Sequence, residues 1–201
     1  MPRRLRGAAA LVAALLLALT ACGGDASAKL HASELDPPFE VSSTPLTDIA
    51  GGDYSLTSST DKDLTLVFFG YTHCPDVCQT VMASLASAMT RLDQRDRDRV
   101  DVIFVTTDPA RDTESVLRRY LDHFDPKFIG LTGKLDTISQ VAKPLGIGIT
   151  HGQKLASGGY DVTHGTTITG VDSDDEAPVY WSESTSSADF AADIHLLLNE
   201  D

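Results

Sequence analysis

Cys74 and Cys78, separated by three residues, are the side chains in this sequence whose type and spacing best suit chemistry. They follow an apolar, β-branched and aromatic run, Leu64 to Phe69, which reads as a buried strand. Gly70 breaks the run, a short loop leads to Cys74, and Pro75 suits the first position of a helix, where its missing N–H would have no partner. This predicts Cys74 at the helix cap and Cys78 one turn on, on the same face. Two sulfurs would then face each other at the positive end of a helix dipole, which favours thiolate over thiol. The C-x-x-x-C spacing is one residue wider than the C-x-x-C of thioredoxin-like oxidoreductases. It can close a disulfide or chelate one metal ion, and two thiolates are soft ligands that suit Cu(I) or zinc.

A third ligand to such an ion would be a histidine, and there are six: His31, His73, His123, His151, His164 and His195. His31 falls in a polar leading segment and reads as inert. His123 and His195 fall on amphipathic helices and read as structural or exposed. His73 adjoins Cys74, but the side chains of neighbours in an extended loop diverge. Spacing alone does not choose among His73, His151 and His164. Met82 and Met89 flank a helical apolar stripe and read as core rather than as copper ligands.

The elements that must position these groups follow in order. Pro45 to Leu56, with Gly51-Gly52 at its centre, reads as a hairpin. After Cys78, the positions Val77, Val81, Leu85, Ala88 and Leu92 recur at helical spacing. Asp93 to Arg99 alternates charge and reads as a solvated helix end. Val100 to Thr106 is a second strand. Asp108-Pro109 turns the chain, Asp112 can cap the next helix, and Val116, Leu117, Tyr120, Leu121 and Phe124 form its buried face. Phe128 to Leu131 reads as a short strand and Leu135 to Leu145 as a helix ended by Pro144 and Gly146. Gly148 to Gly159 reads as a loop carrying His151. Tyr160 to Val171 reads as one strand with His164 near its start. Pro178 to Trp181 can pair back as a hairpin strand. The last helix buries Phe190, Ile194, Leu197 and Leu198. This order predicts an α/β sandwich: a central mixed sheet flanked by helices, with an N-terminal hairpin.

The 201 residues suffice for one domain. With 29 acidic residues against 16 basic ones, the surface disfavours nucleic acid, whose binding rests on Lys and Arg. Residues 1–21 read as an export signal: Arg3, Arg4 and Arg6 precede a short apolar core from Ala8 to Leu19. Leu19-Thr20-Ala21-Cys22 resembles the bacterial lipobox, which predicts an acylated Cys22 at the mature N-terminus and a lipoprotein held at the outer face of the cell membrane by lipid only. Residues 22–44 read as a flexible tether and 45–201 as the domain. With Cys22 acylated, Cys74 and Cys78 are the remaining pair.

FFGYTHCPDVCQT, then TTDPARDT at Thr106 to Thr113, then YDVTHGTTITGVD at Tyr160 to Asp172, together resemble the Sco/SenC family. These are membrane-tethered, thioredoxin-fold copper-binding proteins that help assemble the copper centre of cytochrome c oxidase. The resemblance spans about Pro45 to Leu198. It implies that Cys74, Cys78 and His164 bind copper, as Cu(I) or Cu(II), and that Asp108 supports the site without touching the ion. It implies an extracytoplasmic metallochaperone whose recipient is the copper-bearing oxidase subunit, with other copper chaperones or thiol reductases as further partners. The alternative it carries is a thiol–disulfide reductase acting on the recipient's cysteines, so enzymatic activity stays open; a peroxidase would need a peroxide pocket that the sequence does not suggest. Gln79 stands where the family often has proline, Gly165 where a hydroxyl residue is common, and the anchor reads as lipid where many members have a transmembrane helix.

Overall fold

The apolar runs of the sequence become strands and its periodic stretches become helices, in a computed structural model that describes residues 29–154 and 160–199, with backbone alone at 151–154 and 160–164. In chain order these are β1 (Ser33–Glu40), β2 (Leu46–Asp48), β3 (Asp53–Tyr54), β4 (Leu64–Gly70), α1 (Val77–Arg91), α2 (Gln94–Arg97), β5 (Val100–Thr106), α3 (Glu114–Asp122), β6 (Ile129–Thr132) and α4 (Leu135–Ala142). A 3-10 turn (Lys143–Leu145), β7 (Ile149–Lys154), β8 (Tyr160–His164), β9 (Ile168–Asp172), β10 (Glu176–Trp181) and α5 (Ser187–Asn199) complete the fold.

Eight strands form one mixed sheet in the order β1-β10-β9-β4-β5-β6-β2-β3. β4, β5 and β6 run parallel at its centre, and the other strands pair antiparallel. β4 is buried along its whole length, as a central strand covered on both faces must be. Its side chains alternate between two cores. Leu64, Leu66 and Phe68 pack with α1, α3 and α5, whereas Val67 and Phe69 pack with α4 and the 3-10 turn. The expected α/β sandwich with a central mixed sheet is therefore present. The hairpin of β2 and β3 is present too, on the far edge beside β6. Met82 and Met89 are buried in the first core, as an apolar stripe requires.

Several expectations change. The chain joins the domain well before residue 45: Ser33–Glu40 pairs with β10 as an edge strand, and Leu30 and Ala32 pack on the first core. Its acidic residues and Pro37-Pro38 disguise a strand that has one solvated edge, and the register shifts between Glu34 and Phe39 across the prolines. His31 is not inert. Its backbone N–H and ring Nδ1 lie 2.9 Å from Asp193 Oδ1, and Ala32 N and Trp181 Nε1 each donate to Asp193 Oδ2 at 2.8 Å. The stretch read as a loop around His151 is strand β7, paired with β8 in a separate two-stranded sheet. The single strand expected from Tyr160 to Val171 is two, β8 and β9. The charged stretch after α1 is a short helix capped by Asp93, with Asp96 buried against His195 at 2.6 Å. Gly146 ends the 3-10 turn at φ 71°, a conformation open to glycine. No helix among the described residues is long and apolar enough to cross a membrane. Residues 1–21 and Cys22 lie outside the described residues.

Candidate metal centre

The parallel pair β4 and β5 delivers two loops to one end of the sheet, because equivalent residues Gly70 and Thr106 lie side by side in the register. The first loop carries Tyr71 to Asp76, the second Thr107 to Thr113. They are bonded to each other at their roots: Thr107 donates from its backbone nitrogen (2.6 Å) and its hydroxyl (3.1 Å) to the Gly70 carbonyl.

The cysteine loop is held chiefly by Asp112. Its carboxylate is fully buried and accepts from Thr72 N at 2.9 Å, the Thr72 hydroxyl at 2.6 Å and the Thr106 hydroxyl at 2.7 Å. Asp112 therefore does not cap α3, as its position suggested; Thr113 occupies that place. Next to it, Asp108 is also fully buried. It pairs with the Arg111 side chain, its backbone N–H is held by the Thr106 hydroxyl at 3.0 Å, and its Oδ1 is buried with no hydrogen-bond partner. The Arg111 guanidinium stands 5.8 Å from the centre of the Tyr71 ring, a cation–π contact that reaches the residue opening the cysteine loop.

Cys74 and Cys78 are thiols not joined in a disulfide, and both are buried, at 7% and 0% exposure. Helix α1 begins at Val77, with Asp76 at its cap, so Cys74 sits in the loop rather than at the cap. Cys78 lies in the first turn. Burial pushes its thiol well above the ordinary range, the hydrogen bond with Cys74 pushes the same way, and the Tyr71 backbone works against both. Desolvation thus outweighs the helix dipole and favours the neutral thiol at Cys78. Gly70 makes the close packing possible: a Cβ there would stand 3.1 Å from the Cys78 sulfur and 2.9 Å from the Phe104 ring.

Tyr120 was read only as part of a helix face. Its ring stacks between Phe104 (5.4 Å) and Phe124 (5.2 Å), and its hydroxyl is buried with no partner. Burial raises this phenol far above its usual range, and Cys78, Cys74 and Asp112 add to the effect, which places it within electrostatic reach of the sulfur pair. An aromatic residue amid an apolar helical stripe gives no sign in sequence of a buried hydroxyl left without a hydrogen-bond partner.

His73 is exposed, 3.0 Å from the Thr72 hydroxyl and 3.7 Å from Asp112. His164 ends β8 opposite Ile149, and the following Gly165 N donates to Gly148 O at 3.3 Å. The side chains of His151 and His164 lie outside the described residues. Among the described residues no three metal-binding side chains cluster, and the structure brings together Cys74 and Cys78, whose side chains hydrogen-bond.

Two adjacent buried sulfurs fit a soft, low-coordinate ion such as Cu(I). A hard ion prefers oxygen donors, and sulfur is a poor match for it.

A family model described as SCO1/SenC matches residues 34–199. The human mitochondrial SCO1 homolog is 31% identical over 156 residues, covering 73% of this chain and 52% of the human one. The solution structure of apo Sco1 from Thermus thermophilus superposes with a TM-score of 0.75 at 31% identity, covering 86% of this chain and 98% of that one. The structure of Bradyrhizobium japonicum ScoI with copper bound superposes with a TM-score of 0.67 at 32% identity, covering 79% and 96%. The chain spans about half the length of the mitochondrial SCO relatives from human, zebrafish and mouse.

Proposed function

This chain belongs to the SCO1/SenC family, and from that premise we propose that it is an extracytoplasmic copper metallochaperone that assists assembly of the copper centre of cytochrome c oxidase. The observation that carries the reading is the hydrogen-bonded thiol pair, Cys74 and Cys78, at a loop-to-helix junction that two buried carboxylates brace from the neighbouring loop. The Bradyrhizobium structure with copper bound, at 32% identity, supports copper as the cargo.

Cys74, Cys78 and His164 are the ligands in this proposal. Cys78 must lose its proton to bind, so capture of the ion releases protons and strengthens as pH rises. Asp112 fixes the loop that presents Cys74, and Asp108 with Arg111 holds Tyr71 in place behind it. Two thiolates and an imidazole leave the ion with few ligands, which lets a recipient's cysteines or histidines enter and take it. The recipient is the copper-bearing oxidase subunit. Cys22 is the acylated residue that holds the protein at the outer face of the membrane.

A second reading, thiol–disulfide exchange with the recipient's cysteines, uses the same sulfurs. It is favoured by their unbridged state and by the slight exposure of Cys74, which makes it the attacking or attacked sulfur. The test that separates the two mixes the copper-loaded protein with the metal-free recipient domain. Transfer of copper with both proteins' thiols unchanged in number supports the chaperone. In a second arm the reduced, metal-free protein is mixed with the recipient domain carrying a disulfide between its metal-accepting cysteines, and oxidation of Cys74 and Cys78 to a disulfide with equal reduction of the recipient's disulfide supports the reductase instead.

A further inference from the structure

Tyr120 sits in the last turn of α3 with its usual polarity reversed. A tyrosine at a surface ordinarily buries its ring and leaves its hydroxyl in water, and a buried hydroxyl ordinarily finds a partner. Here the residue as a whole is half-buried, and it lines a cavity with Gln79, Arg119, His123 and Phe124. The hydroxyl at its tip is buried and has no hydrogen-bond partner among the described residues. Stacking fixes the ring in that pose, with Phe104 at 5.4 Å and Phe124 at 5.2 Å. A buried hydroxyl without a partner destabilises the folded chain, and a phenylalanine would make the same aromatic contacts without that cost.

The aromatic stack leads to the sulfur pair. A Cβ on Gly70 would meet the Phe104 ring edge at 2.9 Å and the Cys78 sulfur at 3.1 Å, so ring and sulfur flank one point. Phe104 thus borders both the seat of Cys78 and the Tyr120 ring. Gln79, the residue after Cys78, lines the same cavity as Tyr120, so the first turn of α1 faces the last turn of α3. Burial keeps the phenol protonated, and Cys78, Cys74 and Asp112 act in the same direction. Of these three neighbours, Asp112 already accepts three hydrogen bonds from Thr72 and Thr106. In the metal-free protein the two thiols hydrogen-bond each other. A thiol sulfur is a weak acceptor, whereas a thiolate is a charged one and takes a stronger hydrogen bond.

We propose that Tyr120 is a hydrogen-bond donor to the Cys78 sulfur in the copper-loaded protein, its hydroxyl held without a partner until the ion is captured. This rests on the copper reading of Cys74 and Cys78, and adds to it a positioning residue that touches a ligand and not the ion. Capture of the ion releases the thiol protons to water, so the hydrogen bond between the two thiols is lost and the Cys78 sulfur becomes the acceptor that the hydroxyl lacks. The phenol keeps its own proton throughout. The destabilisation carried by the metal-free protein is relieved on loading, which strengthens capture. The same bond draws electron density from the sulfur, which favours Cu(I) over Cu(II).

The test compares wild type with Tyr120→Phe, each as the chain from Gly23 onward, which holds every described element of the fold. Tyr54→Phe, the same deletion at a buried phenol on the β2–β3 hairpin, is the control. Cu(I) affinity is read by competition with a chromophoric Cu(I) chelator, the sulfur-to-copper band from the Cu(II) spectrum, and melting from the metal-free proteins. Tyr120→Phe is expected to bind Cu(I) about tenfold more weakly. Its band should move to longer wavelength, and without metal it should melt about 2–4 °C higher. Tyr54→Phe should leave affinity and band unchanged. A purely structural tyrosine would not move metal-free stability and copper affinity in opposite directions. Equal Cu(I) affinity, an unshifted band, a metal-free variant that melts below wild type, or an equal loss of affinity in Tyr54→Phe overturns the inference. Wild type that takes up no copper overturns the copper reading itself, whereas copper-binding wild type with Tyr120→Phe indistinguishable from it overturns only the role of Tyr120.

Discussion

Thr72 gives both its backbone N–H and its hydroxyl to the Asp112 carboxylate, at 2.9 and 2.6 Å, two residues before Cys74 and from a loop forty positions away in sequence. The carboxylate is fully buried, so the geometry of the cysteine loop depends on an acid that is not a proposed metal ligand.

Replacing Asp112 by alanine strands the Thr72 N–H and the Thr106 hydroxyl. Buried groups left without a partner cost about 1–3 kcal/mol each, so Asp112→Ala is expected to lower stability by about 3 kcal/mol. It should also weaken copper binding, because the loop bearing Cys74 loses its brace. Denaturant unfolding and a copper competition titration measure the two effects; Asp112→Asn, which keeps one acceptor oxygen, should fall between alanine and wild type.

Gly70→Ala tests the packing behind Cys78. The added methyl meets the Cys78 sulfur at 3.1 Å and Phe104 at 2.9 Å, with Phe68 at 3.0 Å. Overpacking of this kind costs about 1–3 kcal/mol. The variant should melt earlier and react faster with thiol reagents at Cys78, since the sulfur is displaced from its buried seat. Unchanged melting and unchanged reactivity would mean that the sulfur does not rest against Gly70.

Asp193 sets a pH dependence. Burial alone would raise its carboxyl, but the His31, Ala32 and Trp181 donors outweigh burial and hold it below its ordinary value. A depressed folded value makes its contribution present above the unfolded carboxylate range near pH 4 and lost as pH falls through the folded value. His31 runs the other way. Its hydrogen bond to Asp193 raises it, so its contribution is present below about pH 6.5 and fades as pH climbs through the raised value. Asp193→Ala should therefore cost about 3 kcal/mol at neutral pH and flatten the acid limb of stability. Thermal melts from pH 3 to 8 check this, with the Trp181 emission reporting the lost indole hydrogen bond.

These relationships differ in how legible they were. Strand β4 and the helix after it could be read from hydrophobic pattern, and Cys74 and Cys78 from their spacing, because those signals are local. Strand β1 could not: an edge strand needs no apolar alternation on its solvated side, and two prolines argue against any strand. Asp112 was misread for a similar reason. Before a helix, an acid is a cap by local rules, and only the parallel pairing of β4 with β5 brings Thr72 within its reach. The thiolate expected at Cys78 is disfavoured by burial, because a helix start supplies a fraction of a charge while complete burial removes the solvation of a whole one. His31 looked inert because its partner, Asp193, lies 162 positions away.

His164→Ala should leave the fold intact, since the residue ends a two-stranded ribbon outside the main sheet. Two thiolates still hold Cu(I) in a linear site but serve Cu(II) poorly. The variant should keep part of its Cu(I), lose most of its Cu(II) and the sulfur-to-copper absorption, and retain disulfide exchange. Undiminished Cu(II) binding with an unchanged spectrum would move the third ligand to His73 or His151.

In the proposed site one copper ion sits on the Cys74 and Cys78 sulfurs. Its most direct test is metal analysis with an absorption spectrum, after adding copper and removing excess, on the reduced protein and on the same protein with the two cysteines bridged. One tightly held copper per reduced chain is expected, with sulfur-to-copper absorption, and none on the bridged form or on Cys74→Ser and Cys78→Ser. Equal copper on reduced, bridged and serine-substituted chains would contradict it.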